Sequence, residues 1–224
     1  MNRSFLIALA PLVLASSAFA LPTTCQPGLL STYDAPGFSC TINALTFNAW
    51  SYASATVPDT TITVDPQTVP GDEGFQFQGP WNVNNTNGGG EGTEDSLIQF
   101  TASGPAITNL ELFFNGSVTG TGSAGVSELY CLNGTLTNCP VPLGQIAVTN
   151  PPPGFSDQVF FSPVTSVSVS KDILLDTGTG TGSAMISQVT NNFSSNFSSP
   201  EPLSFVLLGS GLLGLGLLRK RIKS

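Results

Sequence analysis

From Thr41 onward apolar residues recur at every second position, and this parity limits the fold more than any other property of the chain. Leu45, Phe47 and Ala49 alternate with Thr46, Asn48 and Trp50; Ile62 and Val64 alternate with threonines; Phe75 and Phe77 alternate with Gln76 and Gln78. A strand sends successive side chains to opposite faces, so this spacing describes strands with one buried face. Further short strands are expected at 97–100, 110–114, 126–130, 145–148 and 158–161. The clearest run, 165–173, puts Val167, Val169 and Ile173 on one face; Lys171 interrupts that face and is expected at its edge. Clusters of Gly, Pro, Asn and Asp separate the runs, and nothing before residue 203 carries the 3.6-residue period of a helix. The expected class is all-β, an antiparallel β-sandwich of jelly-roll type. A parallel β-helix is the alternative, and its regular short repeat is missing.

The two ends of the chain are built differently from this middle. Residues 1–20 open with Arg3, continue through an apolar run and finish Ala18-Phe19-Ala20. That order is expected of a secretory signal peptide cut before Leu21; the apolar run is short for a membrane anchor. At the other end Pro200-Glu201-Pro202 precedes 16 uncharged residues, 203–218, and then Arg219, Lys220, Arg221 and Lys223. As a helix the uncharged run would reach about 24 Å at about 1.5 Å per residue, against a hydrocarbon core of roughly 30 Å. The four cations behind it hold the chain end on the cytoplasmic side.

A short motif, an apolar helix and a basic tail in series closely resemble the PEP-CTERM protein-sorting signal, also known as the ice-binding protein C-terminal domain. The second label does not imply ice binding. The resemblance covers 200–224 and implies that an exosortase-type membrane enzyme recognises Pro200, Glu201 and Pro202. It further implies transient anchoring in a bacterial inner membrane, then delivery to the outer envelope or the extracellular space, in association with exopolysaccharide and biofilm. The commonest form of the motif has Val before the PEP triplet, where Ser199 stands here. Three segments follow: signal peptide 1–20, exported β-sandwich domain 21–199, sorting signal 200–224.

Charge separates along the same lines. Lys171 is the single cation of residues 21–199, whereas every acidic residue except Glu201 lies there. Such a surface repels phosphate backbones, so nucleic acid is excluded as a partner. Cys25, Cys40, Cys131 and Cys139 in an exported chain are expected to form two disulfides. Three pairings are open; the local ones, Cys25–Cys40 and Cys131–Cys139, are favoured because each closes a short loop containing Pro or Gly. Zinc is disfavoured by the absence of histidine and of any C-x-x-C.

Missing histidine also removes Ser-His-Asp and Cys-His catalysis. A Ser-Lys dyad would need Lys171, whose strand-like setting points to an edge or surface role, and a carboxylate pair, Glu111 with Glu128, has no supporting motif; the chain is expected not to be an enzyme and to need no cofactor. Two weaker binding features remain. Asp72 and Glu73, with Glu91, Glu94 and Asp95 in a glycine-rich stretch, are candidate oxygen ligands for calcium. Phe75, Phe77 and Trp81 nearby are candidates for a sugar-stacking surface, which makes a carbohydrate-binding surface module, calcium-dependent or not, the alternative function. Asn84, Asn115, Asn133, Asn192 and Asn196 head Asn-x-Ser/Thr sequons, which an Asn/Ser/Thr-rich chain also produces by chance. Finally, 119–127 and 179–187 repeat a Thr-Gly-Thr-Gly-Ser-Ala core, read as two hairpins with related turns.

Overall fold

A computed structural model describes residues 23–86, 92–151 and 154–195. The expected signal peptide, Glu91, Asn196, the Pro200-Glu201-Pro202 motif, the apolar run and the basic tail lie outside the described residues. Within them no helix is long and apolar enough to cross a membrane.

Eleven strands run through the described residues: β1 (Thr23–Thr24), β2 (Gly28–Leu29), β3 (Cys40–Ile42), β4 (Leu45–Ser54), β5 (Thr63–Val69), β6 (Asp72–Asn85), β7 (Thr93–Gly120), β8 (Ser123–Leu132), β9 (Gly144–Asn150), β10 (Ser156–Asp176) and β11 (Gly182–Ser195). One turn of helix, α1 (Leu30–Tyr33), and a 3-10 turn (Asp59–Thr61) complete it. All strand pairs are antiparallel except β1 with β3, so the sheet is mixed. It curls over on itself. The first part of β7 pairs with β4 through Thr46↔Ser103 to Ser54↔Ser96, whereas its second part pairs with β11 through Ser195↔Ile107 to Gly182↔Gly120. β10 follows β7 along both parts, from Ser156↔Phe113 to Asp176↔Thr93. One layer is therefore β1-β3-β4-β7-β10-β8-β9, and the facing layer is β2-β5-β6-β11-β7-β10, with β7 and β10 common to both.

The bend has a local cause. Gly104-Pro105 interrupts β7 and Pro163 interrupts β10, and a proline has no N–H for the ladder. The β7–β10 register shifts between Phe160 and Ser166, and Ala106 takes a positive φ of 55°. A side chain at Gly104 would meet Leu45 Cδ2 at 2.6 Å and Ala44 O at 2.9 Å, so glycine lets β7 pass close to the start of its neighbour β4. The expected pairs 97–100 with 110–114, and 158–161 with 165–173, are thus continuous strands rather than separate ones.

Inward parity builds the core as the alternation demands, except in β4, where a bulge between Asn48 and Ser51 with Ala49 at a positive φ of 54° turns Ala49 out and Trp50 in, the reverse of the expected faces. Phe47 of β4 and Phe100 of β7 face Phe75 and Phe77 of β6 and Phe193 of β11, with ring centroids 4.7–6.2 Å apart. Trp50 stacks on Phe100 at 4.6 Å, and Tyr33 of α1 packs edge-on against Phe75 at 5.7 Å.

The repeated turn cores do not form hairpins. β7 and β8 do not pair with each other, and neither do β10 and β11; each connection crosses between layers instead. Positive φ falls at Gly120 inside the first copy but at Gly178, just before the second copy and two residues ahead of the equivalent Gly180, so the backbones differ. The two reversals interlock. Thr121 N donates to Thr181 O at 3.3 Å, Thr121 Oγ1 donates to Thr177 O at 2.7 Å, and Gly180 N donates to Thr121 Oγ1 at 3.2 Å.

Candidate functional site

The four cysteines are paired locally, Cys25–Cys40 and Cys131–Cys139, as the short loops favoured. The first clips β1 to β3 beside their parallel bridge, and the second closes the loop after β8.

The acidic candidates for calcium are dispersed. Glu73 is buried and spends its oxygens within the protein: Oε1 accepts from Asn43 Nδ2 at 2.9 Å and from Gly71 N at 3.1 Å, and Oε2 accepts from Ser195 Oγ at 3.3 Å. Asp72 begins β6 opposite Val69. Glu94 lies beyond the other end of β4, where Ser96 Oγ donates to it at 3.3 Å and burial raises its carboxyl above the usual range. Ten residues of β4, about 30 Å at about 3.3 Å per residue, separate the Asn43 end from the end at Ser54, opposite Ser96. Asp95 neighbours Asp172, whose carboxyl is raised by burial and then by the Asp95 charge. No three Asp, Glu, Cys or His among the described residues converge on one point.

Phe75, Phe77 and Trp81 are fully buried, so they are core and form no stacking surface. Parity alone marks an apolar face without saying what covers it, and here the opposite layer does. Trp81 Nε1 donates to Ser96 Oγ at 3.2 Å inside the sandwich. Glu111 and Glu128 are likewise not a pair facing one cleft. Glu111 lies between the inward Leu110 and Leu112 and is turned outward, where Asn109 Nδ2 donates to it at 3.3 Å; Glu128 is wholly inside.

Exposed aromatic rings lie instead on the outer face of the second layer. Register aligns the residues of this face in rows across five strands: Asp65, Gln76, Thr190, Phe113 and Ser156 in one, and Gln67, Gly74, Asn192, Glu111 and Gln158 in the next, where Gly74 and Asn192 are buried. A shallow groove of about 240 Å³ is lined by Phe113, Ser156, Asp157 and Gln158. Phe160, 70 % exposed, stands two outward positions further along β10 from Ser156, with Gln158 between them. Side-chain amides, hydroxyls, the carboxylates of Asp65 and Glu111 and two exposed aromatic rings thus share one surface, and none of the described residues on it is a cation.

Lys171 contradicts its expected edge position. β10 has β7 on one side and β8 on the other at this point, Ile98 and Glu128 being its cross-strand neighbours, and Lys171 is 0 % exposed. Its ammonium pairs with Glu128 Oε2, also 0 % exposed. From the facing layer Asn191 of β11, buried between Phe75 and Leu112 in register, donates Nδ2 to Glu128 Oε1 at 3.1 Å and to Glu111 O at 3.0 Å. Burial drives Lys171 down and Glu128 up, and their mutual attraction opposes both shifts. The signal for this cluster was the polar residue standing in each inward row: Lys171 after Val167 and Val169, Asn191 between Val189 and Phe193.

The fold and these sites define a cation-poor, disulfide-bonded all-β domain. No family profile and no curated protein matches the chain. Among solved structures it is similar to the carbohydrate-binding module TmCBM61 in complex with β-1,4-galactotriose, at 8 % identity and a TM-score of 0.32, over 64 % of this chain and 87 % of that one. It is also similar to the enzymatically active domain of tailspike protein 4 of bacteriophage CBA120, at 13 % identity and a TM-score of 0.30, over 68 % of this chain and 20 % of that one. Superpositions this loose carry no argument about activity.

Proposed function

We propose that the protein is an exported structural component of a bacterial envelope or extracellular matrix, delivered by a C-terminal sorting signal. The observation that carries this reading is the series Pro200-Glu201-Pro202, uncharged 203–218, and Arg219, Lys220, Arg221 and Lys223. Two disulfides agree with an oxidising destination. In this reading an exosortase-type enzyme engages Pro200, Glu201 and Pro202 while the apolar run sits in the inner membrane, and the domain leaves for the outer envelope or the exterior. The test is fractionation of cells expressing the intact gene beside Glu201→Ala and a four-site Lys/Arg→Glu tail variant. Release of wild type, with both variants retained in the inner membrane, is expected. Equal release of all three removes the proposal.

A second reading, carbohydrate binding, is favoured by the outer face of rows described above. Amides and hydroxyls offer paired donors and acceptors, and exposed rings offer the apolar face that a pyranose covers. With Lys171 buried, this face offers no cation to an anionic polymer, so the ligand class is neutral exopolysaccharide. Affinity electrophoresis in neutral glycan gels should show retardation that Phe113→Ser and Phe160→Ser each reduce. Unretarded wild type excludes this reading and leaves the first untouched.

A further inference from the structure

A lysine is an expensive filler for a sandwich core. Apolar residues of similar volume at a buried ion pair are commonly as stable or more so, and the pair alone therefore does not account for Lys171 and Glu128. The third member makes the difference. Glu128 holds the Lys171 amine on Oε2 and the Asn191 carboxamide nitrogen on Oε1, so one carboxyl group spans a nucleophile and a leaving group. All three are shut away from water, and Asn191 Oδ1 has no hydrogen-bond partner although buried polar atoms rarely lack one.

From this juxtaposition we propose that Lys171 and Asn191 become joined by an intramolecular isopeptide bond, with Glu128 as the catalytic acid and base. The Lys171 Nζ lone pair forms a bond to Asn191 Cγ, and a proton passes from Nζ to Glu128 Oε2. Glu128 delivers a proton from Oε1 to Nδ2, the Cγ–Nδ2 bond breaks, and ammonia leaves. Amine and primary amide become secondary amide and ammonia; Glu128 ends as it began, and no oxidant or reductant is required. The step needs a neutral amine and a protonated carboxyl, the forms toward which burial drives these two groups. Exclusion of water disfavours the charged amine, against the opposing pull of Glu128, and leaves the carboxamide carbon no competing nucleophile. The product ties β10 to β11 across the two layers.

The inference does not depend on how the protein is sorted. Its test is tandem mass spectrometry of the reduced, proteolysed full-length protein purified in folded form. The expected result is a branched peptide carrying Lys171 and Asn191, lighter than its two arms by one ammonia. Glu128→Gln, checked for a wild-type circular dichroism spectrum, should yield the two arms separately. Asn191→Asp should restore a branch that has lost water in place of ammonia. Recovery of both peptides unlinked from folded wild type overturns the proposal without reference to any variant. Equal branching in Glu128→Gln overturns the role of Glu128.

Discussion

Replacing Trp81 by alanine separates a core indole from a ligand-stacking one. The ring is fully buried, and its N–H donates to Ser96 Oγ at 3.2 Å. Trp→Ala in a core costs about 3–5 kcal/mol through lost transfer energy and the cavity left behind. The lost hydrogen bond adds at most about 1 kcal/mol, because Ser96 keeps Tyr52 at 3.1 Å and Glu94 at 3.3 Å and is not orphaned. Taken together, Trp81→Ala should cost about 4 kcal/mol and, for a domain of this size, lower Tm by roughly 8–16 °C. Gly79→Ala presses on the same ring, since its new Cβ would meet three indole carbons at 3.0 Å; overpacking of this kind costs about 1–3 kcal/mol. Urea titration followed by far-UV circular dichroism, with disulfides intact, measures both. A loss below about 1 kcal/mol in Trp81→Ala would refute the core assignment, most decisively if glycan affinity fell while stability held.

Burial, with the Asp65 charge added, pushes the Tyr33 hydroxyl up from 10.0 to about 12. The folded state therefore holds its proton more tightly, and the stabilisation is complete below pH 10. It drains away between pH 10 and 12 as the unfolded chain ionises first. Urea midpoints should fall across that window, and Tyr33→Phe should flatten the fall. Removing Cys25–Cys40, a 15-residue separation, as a double Ser variant should cost about 3 kcal/mol by loop entropy, and removing Cys131–Cys139, separation 8, about 2.5 kcal/mol. Denaturant midpoints of the two variants give that order, and a reversed order would refute the loop-length argument.

The layers were legible in the alternation because strand parity is geometric: Val167, Val169 and Ile173 had to share a face, and they do. The passage of β7 and β10 through both layers was not legible. Gly104-Pro105 and Pro163 carry the same local signal whether the chain turns back or merely bends, and only distant partners decide. Phe75, Phe77 and Trp81 were correctly placed on one face, but a sequence does not say whether that face meets water or another sheet. Lys171 is the instructive error. Its parity pointed inward and its charge argued outward, and the deciding facts were Glu128, 43 residues away, and Asn191 on the opposite layer.

Because two strands serve as members of both layers, the sandwich has no independent halves. One residue inserted near the middle of β7 would invert inside and outside for everything that follows, stranding apolar groups in solvent along a ladder shared with β10 and β11. Length variation among natural versions of this domain should accordingly be confined to the connections, above all that between Cys131 and Gly144, while 93–120 and 156–176 keep a fixed count.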